Sequence, residues 1–358
     1  EDLLKESGLL YPKESSRNFS LNFDFSGETI LITGAAGSIG SEIVRQLLSC
    51  SFKSLILIDN AESSLANLVK EFKFTENLKI EFILLDIRDD ESLQWLFETF
   101  NPTMVFHTAA YKHVPLMEDN AYEAVKLNIL ATKSLTDISI LHNVKKFIFI
   151  STDKAVNPIS VMGMSKRIAE SYLNYLNSKK KTLFLTTRFG NIVGSSGSVL
   201  PIFLKQIKSG KALTVTNAET SRYFITKSKA CRFILEIASW SKSNDNLFTF
   251  NMGKPIKIID FAKVLVDLTG GKSTIKIIGL RAGEKMHEEI FSNEESLEPT
   301  THIDIFKVTP KKTVYSEKTV TLHELKSIAP SMPNNDIRSI LETCIYKLQL
   351  SPTFLFAI

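Results

Sequence analysis

The chain has 358 residues, 44% of them hydrophobic and 23% charged, and its 43 lysines and arginines against 39 acidic residues leave a net charge of +4. That balance excludes a disordered chain, and lysines scattered rather than clustered exclude the basic face of a nucleic-acid binder. Cys50, Cys231 and Cys344 are too far apart for a disulfide framework or a metal-ligand spacing, which fits a reducing compartment. Length suggests roughly two units. No apolar run approaches the roughly 18–20 residues that span a bilayer, and no signal peptide is present. The chain opens Glu1-Asp2-Leu3-Leu4 without an initiator Met, so either the start is processed or the chain is a piece of something longer.

Residues 1–26 are polar and form a lead-in segment. Thr29–Thr33 is short, continuous and β-branched, the pattern of a strand buried on both faces. A glycine-rich turn, Gly34 to Gly40, leads into a helical pattern over Ser41–Leu48. The alternation then continues with a strand at Ser54–Asp59, a helix near Ser64–Phe72, a strand at Ile80–Asp86 and a helix near Glu91–Phe100. Thr103–Thr108 is a strand, Tyr122–Leu141 a long helix, Phe147–Ser151 a strand and Lys166–Asn177 a helix. About six strands alternating with helices mean an α/β fold: a doubly wound parallel sheet covered on both faces. This unit spans residues 27–190. Residues 191–300 form a smaller mixed α/β region interleaved with it, with a helix at Pro201–Ser209, strands at Phe248–Met252 and Thr274–Ile278, and a helix at Ile259–Thr269 between them. Residues 301–358 hold helical stretches at Leu322–Ala329 and Ile337–Leu348 and an apolar tail, Phe354–Ile358, expected to pack on something, because free apolar ends are a liability.

The glycines carry the first chemistry. Between a strand and a helix, Gly34 permits the tight turn, Gly37 lets backbone approach a pyrophosphate, and Gly40 lets helix and strand pack closely. The helix start then offers unpaired N–H groups to phosphate. Asp59 ends the second strand 19 residues after Gly40, where a carboxylate binds ribose hydroxyls and its charge favours NAD over NADP. Asp86 and Ile87 follow the third strand; Asp86 reads equally as an adenine contact or a helix cap. His107 and His113 read as structural. No metal is expected, since no His/Cys/Asp trio has ligand spacing.

The spacing Gly34-x-x-Gly37-x-x-Gly40 resembles that of the extended short-chain dehydrogenase/reductases. So do His107–Pro115, Asn128–Thr132 and, most specifically, Ser151–Pro158. Within that superfamily the chain is similar to the UDP-N-acetylglucosamine 4,6-dehydratases of bacterial surface glycan synthesis. The superfamily uses a Tyr-x-x-x-Lys pair, one helical turn apart. Here the pair reads Met162 and Lys166, and Met cannot exchange a proton. The base is either lost or relocated to Thr152-Asp153-Lys154 at the end of the preceding strand, where α/β sheets bind ligands. Without the resemblance, Asp153 reads as a turn cap paired with a surface Lys154.

The C5-retaining branch, many of whose members carry an N-terminal membrane region, also has Met at that position. The resemblance implies a lyase cycle: hydride leaves C4 of the sugar for NAD⁺, water is lost across C5–C6, and hydride returns to C6. It implies Lys154 as the base for C5, Asp153 as the acid for the C6 hydroxyl, Thr152 hydrogen-bonded to the 4-oxygen and Lys166 at the nicotinamide ribose. The cofactor candidates are Gly34, Gly37, Ser38, Ile39, Gly40, Asp59, Asp86, Ile87, Ala109 and Lys166. The substrate candidates are Lys112, Asn191, Arg222, Arg281 and Glu284, two arginines suiting a diphosphate.

The rival expectations are a dehydratase of another N-acetylhexosamine nucleotide such as a GDP form, a sugar-nucleotide epimerase, and a catalytically silent NAD-binding protein. The resemblance further implies at least a homodimer, paired through the long helix and the helix carrying Lys166. It also implies a cytoplasmic catalytic portion of a membrane-anchored chain.

Overall fold

The computed structural model describes residues 2–6, 23–72, 79–177, 181–240, 246–311 and 322–350. Most of the expected lead-in and the apolar tail at 354–358 lie outside the described residues. Nine strands form the main sheet: β1 (Asp24–Thr33), β2 (Ser51–Asp59), β3 (Ile80–Leu84), β4 (Met104–His107), β5 (Lys146–Ile150), β6 (Leu183–Arg188), β7 (Leu247–Phe250), β8 (Glu295–Pro299) and β9 (Ile305–Pro310). Their order is β8-β9-β7-β6-β5-β4-β1-β2-β3. Strands β1 to β7 run parallel, and the β8–β9 hairpin adds antiparallel edge strands.

The sheet is covered on both faces because alternate residues of each strand point to opposite sides. Ile30 and Ile32 of β1 enter one apolar layer with the helices α1 (Ser38–Leu47), α2 (Glu62–Phe72) and α5 (Lys227–Ser239). Leu31 enters the other, with α3 (Asp90–Phe100), a composite helix running from Ala121 to Leu141, and α4 (Val161–Asn177). The middle of the composite helix, Val125–Ala131, is π-helical. The cap of α3 is Asp89, whose side chain accepts from the N–H groups of Glu91 and Ser92; such a cap is worth about 1 kcal/mol.

Three features depart from the sequence expectation. Helix α4 begins at Val161, five residues before the expected start at Lys166, because Glu118 accepts the free N–H of Val161 at 2.8 Å and caps it. Helix α5 was not anticipated: its polar face is rich in lysine, yet Ala230, Cys231, Ile234, Ile237 and Ala238 are buried. The β8–β9 hairpin falls where the sequence pattern predicts no strand, and with β7 it extends the main sheet.

A smaller lobe gathers around Val193, Leu200, Phe203, Leu213, Phe224, Phe261 and Leu265, and Leu4 of the short helix Asp2–Glu6 is buried in it. At the opposite side, helix α6 (Asn334–Leu350) lays Ile337, Leu341, Cys344 and Ile345 into the core layer of α4 and the composite helix. Arg338 of α6 pairs with Glu118 and donates to the carbonyl of Ile159 at 2.8 Å. The helices expected to pair two subunits are therefore partly covered by the chain's own α6. Among the described residues, no helix is long and apolar enough to cross a membrane.

Candidate active site

The strand order reverses between β1 and β4, and a crevice opens there at the carboxyl ends of the strands, the place where open α/β sheets take ligands. Gly34 has φ +64°, and a Cβ on it would stand 2.7 Å from the backbone nitrogen of Ala109. A Cβ on Gly40 would stand 2.3 Å from the carbonyl oxygen of Gly34. Both glycines are thus required by close backbone approach. Thr108 Oγ1 donates to the carbonyls of Thr33 and Gly34 at 2.7 and 3.1 Å, which pins the turn. Gly37 stands at the N-cap of α1 with no side-chain cap, so Ser38 and Ile39 open the helix with free N–H groups.

Asp59 accepts from the backbone N–H groups of Ala36 and Ala61, both at 2.9 Å. Its carboxylate therefore braces the glycine turn as well as facing the cleft. The cleft has a volume of about 170 Å³ and is lined by Gly34, Gly37, Asp59, Asp86, Ile87 and Ala109 among others. Asp86 does not cap α3. It binds the backbone N–H and guanidinium of Arg88, which holds its carboxyl down at about 2.

The second half of the site grows from the end of β5. The N–H of Asp153 donates to the carbonyl of Phe189 at 3.0 Å, which ties the Thr152–Lys154 turn to the end of β6. Thr152 Oγ1 donates to Asp153 Oδ1 at 2.9 Å, and Lys154 Nζ donates to the same oxygen at 2.9 Å and to Asn191 Oδ1 at 3.1 Å. Asp153 is fully buried, so the reading of a surface turn does not hold. Its other oxygen, Oδ2, is buried without a hydrogen-bond partner. Such an orphan acceptor in a native structure calls for a ligand, a water or a chemical role.

Helix α4 brings Met162 and Lys166 beside this turn. Gly163 makes the approach possible: a Cβ there would stand 2.3 Å from the carbonyl oxygen of Lys154. Met162 is buried in the apolar layer with Val161 and Met164. Lys166 Nζ donates to the carbonyl of Ile150 at 2.9 Å and lies 4.3 Å from the centre of the Phe149 ring. Burial pushes its amine down to about 7. Asn128, in the π-helical turn, exchanges hydrogen bonds with the backbone of Tyr111 and donates to Ser165 Oγ at 3.0 Å. It fixes the Ala109–Lys112 segment against α4. His107 bonds Thr33 and Thr132 at 2.7 and 2.9 Å, and burial holds its ring well below the ordinary range, so it remains a neutral structural residue.

The substrate candidates divide. Lys112 Nζ donates to the carbonyl of Ser196 at 2.8 Å, and the N–H of Ser196 donates to Ser38 Oγ at 3.1 Å. This closes the 194–198 loop over the glycine turn. Asn191 holds Lys154. The guanidinium of Arg222 is committed to the carbonyls of Ser221, Lys285 and Met286 at 2.7–3.0 Å. It is a clamp on the 285–286 backbone rather than a free fork for a diphosphate. Arg281 is exposed and pairs with Glu284 at 2.6 Å, so these two candidates face each other across a short loop. Gly283 of that loop rests on Glu118 and Ser160, at the start of α4. One charged residue of the site went unread: Glu288, 3.7 Å from Lys154 and 3.9 Å from Arg222. Among the described residues, no cluster of three His, Cys, Asp or Glu side chains is placed to hold a metal.

A family model described as polysaccharide biosynthesis protein matches residues 30–310. The chain is 43% identical over 278 residues to the capsular polysaccharide biosynthesis protein CapD of Staphylococcus aureus, covering 76% of this chain and 46% of that protein. It is 32% identical over 294 residues to a UDP-glucose 4-epimerase of Rickettsia rickettsii, covering 79% of this chain and 83% of that one. The solved structure of Pen from Bacillus thuringiensis matches with a TM-score of 0.72 at 32% identity, over 80% of this chain and 90% of that chain. The chain spans about half the length of the capsular relative.

Proposed function

The chain belongs to the polysaccharide biosynthesis protein family, and from that membership we propose that it is an NAD-dependent lyase that removes water across C5–C6 of UDP-N-acetylglucosamine. The observation that carries this reading is the turn at the end of β5. Thr152, Asp153 and Lys154 form a hydrogen-bonded set of proton-active groups, centred on a fully buried Asp153 with Thr152 and Lys154 half-buried, beside a helix whose usual tyrosine position is Met162.

The crevice fits NAD. Gly34 and Gly40 leave backbone where a Cβ would collide, the start of α1 faces the pyrophosphate, and Asp59 suits unphosphorylated ribose hydroxyls. Lys166, whose Nζ is held on the Ile150 carbonyl, would hold the nicotinamide ribose. When bound, NAD supplies a hydride acceptor for C4 and later a donor for C6.

The protein's own groups do the rest. Thr152 hydrogen-bonds the 4-oxygen. Once C4 is a ketone, the C5 proton is acidic, and Lys154 takes it. Asp153 gives a proton to the C6 hydroxyl, which leaves as water. This step would leave an ammonium on Lys154 and a carboxylate on Asp153, groups that stand 2.9 Å apart. The starting state, neutral Lys154 beside protonated Asp153, is restored when Lys154 returns its proton to C5 as hydride reaches C6, and Asp153 takes up the proton that the C4 hydroxyl gave to water on oxidation. Retention at C5 follows if the returning proton arrives from the face it left.

The epimerase among the relatives favours a second reading, in which C4 is oxidised and reduced with no loss of water. Met162 counts against it, because that chemistry normally draws on the tyrosine. Incubation with UDP-N-acetylglucosamine, with a GDP-linked N-acetylhexosamine in parallel, decides by mass spectrometry and NMR. Loss of one water, with solvent deuterium at C5 and unchanged configuration, supports the proposal. A C4 epimer of unchanged mass sinks it in favour of the epimerase, a C5-inverted product sinks the retaining assignment, and no product in either case leaves a silent nucleotide-binding protein.

A further inference from the structure

Glu288 is an anomaly. Its side chain is only 3% exposed, yet its Oε1 stands 3.7 Å from Lys154 Nζ and 3.9 Å from Arg222 Nε, distances of ion pairs rather than hydrogen bonds. Its Oε2 is buried with no hydrogen-bond partner. A buried carboxylate left this bare is costly unless something compensates it. The fold places it there firmly. Ser221 bridges His287, the N–H of Ser221 donates to the carbonyl of Met286 at 3.0 Å, and the Arg222 clamp grips the same segment. Glu288 thus comes from the smaller lobe's contact with the sheet, 134 residues after Lys154 (288 − 154).

We propose that Glu288 is a positioning residue whose fixed negative charge stabilises the ammonium that forms on Lys154 as the C5 proton is removed. This rests on the dehydratase reading. In that step the C5–H bond breaks and its proton joins the lone pair of Lys154 Nζ. The C–H electron pair becomes the C5=C6 bond, and the C6–O bond breaks with its electrons on oxygen. That oxygen takes the Asp153 proton and leaves as water. Lys154 gains a charge during the step, so a carboxylate already in place and held by protein is worth more in the transition state than before it. Asp153 becomes an anion only as it gives its proton to the leaving oxygen, so until that transfer the charge forming on Lys154 faces Glu288. Glu288 touches no reacting atom and acts through Lys154.

The test compares wild type with Glu288→Gln, which keeps the shape and removes the charge, and Glu288→Asp, which keeps the charge and withdraws it. The exposed neighbour Glu289→Gln is the control. With UDP-N-acetylglucosamine, Glu288→Gln is expected to lower kcat about a hundredfold with KM within about twofold of wild type, and Glu288→Asp to fall between. With substrate deuterated at C5, the isotope effect on turnover should be larger in Glu288→Gln than in wild type, since proton removal becomes the slow step. Failure of wild type to release water sinks the dehydratase reading itself. Wild type and Glu288→Gln turning over alike sinks only the role of Glu288. So does a rise in KM at unchanged kcat, or a lowered kcat with an unmoved isotope effect and a lowered unfolding midpoint.

Discussion

Two clusters of buried charge lie almost side by side at the ends of β5 and β6, and they are built on opposite rules. Arg188, fully buried, donates to both oxygens of Glu170 at 3.2 and 2.7 Å, to Glu295 at 3.0 Å and to the carbonyl of Ile290 at 3.5 Å. Beside it, Lys154 is shared among Asp153, Asn191 and Glu288, and one oxygen on each of the two acids has no donor. A satisfied buried network rigidifies a structure, and here it ties α4, β6 and β8 together. An unsatisfied one is tolerated where binding or chemistry completes it. The contrast separates scaffold from site without any appeal to which residues look reactive.

The sharpest way to break the comparison is to remove one cation from each cluster. Lys154→Met should reduce water loss from the sugar nucleotide by about 10²–10⁴-fold, the range of a lost general base, with a smaller loss of stability than at Arg188, because Asp153 and Glu288 each already hold one oxygen without a donor. Asp153→Asn should behave in the same way. Arg188→Met should do the reverse in kind. It strands Glu170 and Glu295 in the interior, and denaturant titration should show a loss of about 3–5 kcal/mol. An Arg188→Met protein as stable as wild type would mean that its hydrogen bonds are not what holds α4 to the hairpin.

Lys166 is the intermediate case: buried, with its amine on the Ile150 carbonyl and over the Phe149 ring. Burial moves it from 10.5 to about 7. The sign follows from proton counts. Between pH 7 and 10.5 the unfolded chain holds a proton on this amine that the folded chain lacks, so stability rises with pH across that window. Below about pH 7 both states hold the proton, and the folded state bears the full cost of burying the charge. One such group contributes a slope of up to about 1.4 kcal/mol per pH unit. The difference in unfolding free energy between wild type and Lys166→Met, measured from pH 7 to 10, should therefore change in favour of wild type as pH rises. A difference flat in pH would show that the amine is not desolvated as the fold implies.

The same contrast explains what the sequence reveals. The cofactor end is legible because its logic is local: three glycines and a strand-ending carboxylate act through backbone within one βαβ unit, and Thr152-Asp153-Lys154 is contiguous. Glu288 is not legible. It sits in the run Glu284-Lys285-Met286-His287-Glu288-Glu289, which reads as a solvated face, and only the pairing of this segment with Ser221 buries it. Arg188 is no more legible. A charge ending an apolar strand needs buried partners, and these come from Glu170 and Glu295, far from it in the chain. Long-range partnership is where pattern stops informing.

Arg281 and Glu284 give the smallest expected effect and test the boundary between the two rules. They resemble the satisfied cluster, since Arg281 binds Glu284 through Nε and Nη2 at 2.9 and 2.6 Å, but the arginine side chain is 55% exposed while the glutamate is 11% exposed. Exposed pairs contribute little to stability, so satisfaction here says nothing about scaffold. If the loop instead greets the nucleotide, Arg281→Ala should raise KM for the sugar nucleotide about tenfold, the loss of one charge-assisted contact, with kcat, bound NAD and the unfolding midpoint unchanged. Glu284→Gln should then raise KM less, because the guanidinium it releases is freer to meet a phosphate. An Arg281→Ala protein with wild-type KM would assign the pair to the solvated surface and leave Lys112 and Asn191 as the substrate-facing groups.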